Sequence, residues 1–283
     1  MLVDKPAGPT SHDVVGAVRR ALGVRSAGHT GTLDPFASGL MIVLLGRATR
    51  LARFVSGQPK RYFATARLGV ATTTDDPTGA PLAPAGGVGG VPSAGEIAAA
   101  LEGFRGTTMQ RPPAYSARHI DGERSYRLAR RGIEVALPET PVTVHDVSLL
   151  ALRDEEIDFR LTVSAGTYVR AIARDLGERL GTAAHLAVLR REAIGPIEVD
   201  RAVPLASLSR ETPVLSPLEV LGHLPSRSLD ATEALDVSHG RSIGGGGATG
   251  EGDALALVRE GRLAAVAEWR DGRLQPVVVL ESA

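Results

Sequence analysis

Leu40 to Leu45 is apolar at every position and is closed at both ends by glycine, Gly39 and Gly46. A short, unbroken apolar run bounded by turn residues predicts a buried strand. Arg61 to Val70 alternates instead. Tyr62, Ala64, Ala66 and Leu68 share one face, and Arg61, Phe63, Thr65 and Arg67 share the other, the two-residue period of a strand. Ile157, Phe159, Leu161 and Val163 repeat that pattern, and Leu2 to Lys5 reads as a short strand stopped by Pro6. Helical signals lie between these strands. Thr10 and Asp13 have the spacing of a capping box, with Asp in place of the usual Glu, ahead of a stripe of Val14, Val15, Val18 and Leu22 that Gly23 ends. Ser93 and Glu96 cap a second helix carrying Ile97, Leu101 and Phe104. Thr167 opens a third, with Val169, Ile172, Ala173, Leu176 and Leu180 on one face. A further helix is expected over Ala183 to Arg191, after Gly181.

These elements predict an α+β domain. Pro81 to Pro92, rich in Gly, Pro and Ala, reads as a flexible loop within it, because strand patterning resumes afterwards. From about Ser226 the texture changes. A four-glycine run, Gly244 to Gly247, precedes short strands around Leu255 to Val258, Leu263 to Trp269 and Val277 to Leu280. Glu260-Gly261 and Asp271-Gly272 sit between them as hairpin turns. The expectation is a small all-β domain, residues 226–283, appended to a larger one, residues 1–225. No repeat of solenoid period is present.

Composition narrows the chemistry. The chain has 283 residues, 43% of them hydrophobic, enough for a sizeable core. With 0 cysteines it has no disulfide, thiol nucleophile or cysteine-type zinc site. Its seven histidines are scattered, with no His-x-x-x-His pair, so no metal is expected. No apolar run reaches membrane-spanning length and no signal peptide is read at the start, so a cytoplasmic monomer is expected. The formal net charge is +0, which argues against a bulk electrostatic binder of nucleic acid. Any such contact must come from local segregation of charge.

That segregation exists. From Val14 to Thr74 the only acidic residue is Asp34, against nine basic ones: Arg19, Arg20, Arg25, Arg47, Arg50, Arg53, Lys60, Arg61 and Arg67. Asp34 sits in Gly28-His29-Thr30-Gly31-Thr32-Leu33-Asp34-Pro35. Asp-Pro is common in ordinary turns. A lone carboxylate in a positive field is expected to stay ionised, as a nucleophile or base acting on a polyanion would need. Between Arg105 and Arg131, seven arginines face only Asp121 and Glu123, with Tyr115 and Tyr126 among them. Arginines interleaved with aromatics suit phosphate contact and base stacking, although such a run also describes a solvated helical face. Arg170 falls in the first turn of its predicted helix, where the macrodipole disfavours a cation. A carboxylate or phosphate partner would relieve it.

Together these segments closely resemble the bacterial tRNA pseudouridine synthases of the TruB family. The resemblance is carried by Asp4-Lys5-Pro6 with Gly8 and Ser11, the Gly28 to Pro35 segment, Lys60-Arg61-Tyr62, and Phe104-Arg105-Gly106 with Gln110. It continues through Pro112-Pro113, Tyr115-Ser116-Ala117, Tyr126, Ala129-Arg130, Gly166 to Arg170 with Asp175-Leu176-Gly177, and Leu189-Arg190-Arg191. It spans roughly residues 1–200. The tail is compatible with a small RNA-binding PUA domain. What the resemblance implies is a mixed, largely antiparallel β-sheet catalytic domain with flanking helices. The implied reaction isomerises uridine 55 of the tRNA T-loop, with no cofactor or metal. Asp34 takes the nucleophile position and Arg170 that of its partner. Tyr62 matches the tyrosine stacking on the target base. His29 matches a residue inserted into the T-loop as the target flips out, Tyr168 and Leu189 match the uracil pocket, and Lys5 matches a position near the site. A mobile thumb on the RNA arm is implied at about residues 105–140. Base flipping accounts for such a set, because extruding a stacked base costs a few kcal/mol and leaves a gap to fill.

Three other readings compete. An RNA-binding or RNA-folding module that has lost activity would not need Asp34, Tyr62 and Arg170 together. A nucleoside glycosidase would need a second carboxylate near Asp34, and the neighbouring sequence offers none. A synthase guided by a separate RNA is expected to carry long basic tails, which this chain lacks.

Overall fold

The computed structural model describes residues 1–82, 92–115, 137–245 and 252–280, with residues 119, 120, 123, 124, 131 and 250 besides. The elements that build the main sheet are β1 (Leu2–Lys5), α1 (Ser11–Leu22), β2 (Ala27–His29), β3 (Ser38–Leu45), α2 (Ala52–Ser56), β4 (Lys60–Leu68), α3 (Ala94–Glu102) and β5 (Gly106–Gln110). After a small pair, β6 (His119–Ile120) and β7 (Glu123–Arg124), come β8 (Thr140–Arg153), β9 (Glu156–Val163), α4 (Val169–Arg179), β10 (Ala184–Ile194), β11 (Ile197–Glu198) and β12 (Val203–Pro204). The main sheet has ten strands in the order β12-β1-β3-β10-β4-β9-β8-β5, with β2 added on β3 and β11 on β10. Only β1/β12 and β3/β10 pair in parallel; the other pairs are antiparallel. The sheet is therefore mixed and largely antiparallel.

The local signals explain most of these elements. The Thr10–Asp13 capping box closes in both directions at the start of α1, and Gly23, left-handed at φ 66°, ends it. Ser93 and Glu96 do the same for α3. The apolar run in β3 is buried on both faces. Met41 and Val43 join Val3 and Val14 in one core, while Leu40, Ile42 and Leu44 join Leu2 and Val55 in another. A strand covered on both sides has no solvated face to mark with polar residues.

Two expectations are corrected. Ala183 to Arg191 is not a helix: from Ala184 onward it lies in β10, the strand between β3 and β4. Its register slips between Leu186 and Val188 and again between Arg191 and Ala193. Each bulge interrupts the two-residue alternation, leaving Leu186 and Leu189 at a helix-like spacing. The second correction concerns the tail. It holds a five-stranded sheet, in the order β13 (Ser226–Ser228), β15 (Ala254–Arg259), β16 (Arg262–Arg270), β17 (Arg273–Val279), β14 (Ile243–Gly244). It is not all-β, because a helix, Ala231–Ser238, packs Ala234 and Val237 inward behind an Asp230–Glu233 capping box. The two hairpins turn at Glu260-Gly261 and Asp271-Gly272 as expected, all four residues at positive φ.

The second sheet packs against the first. Ala256, Leu263, Val266 and Val278 share a core with Leu40, Ile42, Leu44 and Ile194. The far face of β1 and β3 is thus sealed, and chemistry is left to the side that α1 and α4 flank. At the crossing of β3 and β10, Gly39 (φ 107°) lies against the backbone of Arg191, where an added Cβ would come within 2.3 Å of the Arg191 carbonyl. This close approach brings the Arg191 side chain beneath the Asp34 loop.

Candidate active site

The Asp34 loop leaves β2 and returns into β3, and main-chain contacts set its shape. Ser11, the first residue of α1, bonds Leu33 twice: its Oγ accepts from the Leu33 N–H at 2.8 Å and donates to the Leu33 carbonyl at 2.9 Å. The fully buried Lys5 donates from Nζ to the carbonyls of Pro6, Pro35 and Ala37 at 2.9, 3.2 and 2.6 Å. Arg191, 1% exposed, donates to the carbonyls of Leu40, Thr32 and Gly31 at 2.7, 3.3 and 3.1 Å. Its guanidinium meets no carboxylate among the described residues.

Above this support lies a cavity of about 1060 Å³ lined by Asp34, Tyr62, Asp76, Tyr168, Arg170 and Leu189, among others. Arg170 comes from the first turn of α4 and its side chain is 5% exposed. Its Nε lies 2.9 Å from Asp34 Oδ2, an ionic contact outside hydrogen-bonding geometry, and Nη2 donates to Oδ1 at 3.4 Å. Nη1 donates to the Thr74 carbonyl at 2.8 Å and lies 3.3 Å from Asp76 Oδ2. Nη2 also donates to the Tyr115 carbonyl at 2.9 Å. The helix-start cation that the macrodipole disfavours therefore has two carboxylates to compensate it.

Asp76 was invisible to the sequence reading. It lies just past the span in which Asp34 is the sole acid, and Thr72-Thr73-Thr74-Asp75-Asp76 was the available signal. Its Oδ1 accepts from Thr74 Oγ1, the Thr78 N–H and Thr78 Oγ1 at 2.6, 2.9 and 2.5 Å. Its Oδ2 faces Arg170 Nη1 at 3.3 Å, so both oxygens have partners. A second carboxylate does stand by Asp34, contrary to the expectation from the neighbouring sequence. It is committed to Arg170 and the threonines rather than poised as the acid a glycosidase needs.

The electrostatic expectation is also corrected. The Asp34 carboxyl is pushed up from its ordinary value. Burial is the main cause; Arg170 pulls it back, Asp76 adds to the rise, and Lys5 lowers it weakly. The basic residues near Asp34 in sequence serve elsewhere. Arg61 pairs with Glu192 and Glu198, Arg53 with Glu268, and Arg50 bonds the Val279 carbonyl. Lys60 does reach the cavity. Its ammonium donates to the Ser56 and Gln58 carbonyls at 2.5 and 2.6 Å, and burial holds its pKa down to about 8.

The other candidates divide. Tyr62 and Leu189, on the neighbouring strands β4 and β10, and Tyr168, at the start of α4, line the cavity with Asp34 and Arg170. Lys5 lies beneath the loop, outside this cavity's lining; burial lowers its pKa to about 8. His29 lies in β2, outside the cavity lining, half-buried, its Nδ1 without a hydrogen-bond partner among the described residues. Burial, reinforced by Arg191 and His12, lowers its pKa. Of the second basic run, Arg118, Tyr126, Arg127 and Arg130, and the side chain of Arg124, lie outside the described residues.

Comparison with known proteins agrees in sequence and in fold. Residues 19–169 match the TruB family pseudouridylate synthase N-terminal domain, and residues 170–219 the tRNA pseudouridylate synthase B C-terminal domain. The chain is 40% identical to tRNA pseudouridine synthase B of Arthrobacter sp. (strain FB24), over 99% of this chain and 95% of that one. It is 43% identical to that of Thermobifida fusca (strain YX), over 99% and 97%. Among solved structures it resembles the archaeal box H/ACA sRNP Nop10–Cbf5 complex, with a TM-score of 0.74 at 24% identity, covering 99% of this chain and 85% of that one. That last likeness concerns the fold.

Proposed function

The chain belongs to the TruB family of pseudouridylate synthases, and on that premise we propose that it isomerises uridine 55 in the tRNA T-loop to pseudouridine through Asp34. The observation that carries the reading is the contact of Arg170 with Asp34, 2.9 Å apart inside a cavity that Tyr62 and Leu189 also line. The ionised Asp34 attacks the uridine, at C6 of the base or C1′ of the ribose, and the glycosidic bond breaks. The freed uracil turns and bonds C1′ through C5; the C5 proton is lost to solvent with help from Tyr62, N1 takes up a proton, and Asp34 is released. Tyr62 stacks on the base, and Tyr168 and Leu189 confine it. Arg170 holds the carboxylate ionised and aimed. His29 enters the T-loop as the base flips out.

Residues 1–225 are the catalytic domain in this reading, about 105–140 the thumb on the RNA arm, and 226–283 a PUA-like RNA-binding domain. The protein acts as a cytoplasmic monomer. No helix among the described residues is long and apolar enough to cross a membrane. A stand-alone enzyme is favoured over one guided by a second RNA, because the relatives from Arthrobacter sp. and Thermobifida fusca, at 40% and 43% identity, are named tRNA pseudouridine synthase B.

The test is tritium release from C5-labelled uridine in T-arm RNA. Release by the wild type and none by Asp34→Ala is expected, with RNA binding retained. Equal release by both removes Asp34 as nucleophile, and wild-type activity confined to another RNA overturns the substrate.

A further inference from the structure

Gln110 ends β5 and is 4% exposed, a buried amide with no place in the chemistry above. Its Oε1 accepts from the Tyr168 N–H at 2.9 Å, and its Nε2 donates to the Tyr168 carbonyl at 3.1 Å. The two partners are the donor and acceptor of one peptide residue, so they fix which end of the amide is oxygen. Tyr168 is the N-cap residue of α4, and its own side chain makes no capping bond. Its carbonyl also accepts the first helical bond, from Ile172 at 3.3 Å. Gln110 thus takes, from another element, the N-cap N–H that an N3 Glu or Gln takes in a capping box, and holds the cap carbonyl as well.

The location gives this a consequence. Arg170 follows Tyr168 by two residues, in the first turn of the same helix. The chain leaving Gln110 is laid along that helix. Arg174 donates to the Arg111 carbonyl at 3.0 Å, and Arg170 to the Tyr115 carbonyl at 2.9 Å. An arginine placed by the first turn of a helix inherits any error in where that helix begins. Arg170 reaches Asp34 with one contact at 2.9 Å and another at 3.4 Å, so a small displacement breaks the pairing.

We propose that Gln110 is a positioning residue for the reaction: by clasping both main-chain groups of Tyr168 it fixes the start of α4 and thereby aims Arg170 at Asp34. The inference rests on the functional reading above for its kinetic consequence, though not for its geometry. Gln110→Met keeps the volume and loses both bonds; Gln110→Glu keeps the acceptor and loses the donor. At 25 °C on T-arm RNA, kcat of Gln110→Met should fall by about 10²-fold while KM stays within about threefold, and Gln110→Glu should fall between it and the wild type. Unchanged kcat, or a rise in KM alone, overturns the proposal. A crystal structure of Gln110→Met without RNA should show Arg170 Nε more than about 4 Å from Asp34 Oδ2, beyond ion-pair distance. An unchanged separation overturns the proposal whatever the kinetics. Should Gln110→Met fail to fold, Gln110→Glu carries both readouts. A wild type inactive on T-arm RNA would sink the functional reading, and the crystallographic separation would still decide the role of Gln110.

Discussion

Buried cations hold the Asp34 loop from two sides, and the sides differ in what they hold. Beneath the loop, Lys5 and Arg191 donate, among the described residues, only to main-chain carbonyls. Beside it, Arg170 holds the carboxylates of Asp34 and Asp76. Burying a charge costs several kcal/mol unless it is compensated. The lower side accepts that cost for shape: carbonyl partners fix a backbone path but do little to offset the charge, and burial accordingly pushes Lys5 down to about 8. On the Arg170 side the compensation is ionic and reaches a carboxyl that opens on the cavity. One set of cations builds the loop, Lys5 adding a weak pull on Asp34; the other is the main influence holding down the pKa of the group the loop presents.

Substitutions can break that division. The largest effect is expected at Asp34. Asp34→Asn keeps the shape and removes the nucleophile, and turnover should drop by about 10⁴-fold or more, while RNA affinity measured by filter binding changes little. Comparable turnover would leave the two sides with nothing to divide.

Next is Arg170→Met, which takes from Asp34 and Asp76 the arginine they share. About 10²- to 10³-fold in kcat is expected, the loss seen when a fixed donor at a reacting charge is removed. The pH profile sharpens the point. Asp34 must be ionised to attack and its pKa is raised by burial, so activity falls as pH drops through that raised value. Arg170 is the strongest influence lowering it, so without it the acid limb moves to higher pH. A limb that stays in place would mean that Asp34 is not the titrating group.

Lys5→Met and Arg191→Met should behave differently. Each removes three hydrogen bonds to main-chain carbonyls in and beside the loop and lowers unfolding free energy by about 2–4 kcal/mol, read by denaturant titration. The folded fraction of Arg191→Met should keep its acid limb, and that of Lys5→Met should move only slightly to higher pH, less than in Arg170→Met. A shift of that limb as large as in Arg170→Met would erase the distinction. The smallest effect is at Arg190→Ala. Arg190 adjoins Arg191 and holds Asp4 with two bonds, but it is 37% exposed and absent from the cavity lining. Solvent-screened pairs are worth about 0–1 kcal/mol, and kcat should not change. A large loss of turnover would show that a carboxylate partner matters wherever it sits.

Legibility followed the range of the interaction. The capping boxes at Thr10 and Ser93, the strand around Tyr62 and the two C-terminal hairpins depend on neighbours within a few residues, and each was readable in order along the chain. The Ala231–Ser238 helix carried the same signal in Asp230 and Glu233 and was missed among strands. Strand β10 is hidden for a different reason: its bulges lie in its register with β4, which one segment cannot display.

The active site divides in the same way. The sequence by itself determined that Asp34 sits in a tight Gly/Thr/Pro loop and that Arg170 opens a helix needing an anionic partner, because turn and helix-end chemistry are local. The tertiary structure decided that these two residues meet across 136 positions, that Asp76 joins them, and that the Asp34 pKa rises rather than falls. Coulombic energy depends on separation in space and on burial, and neither can be counted along a chain.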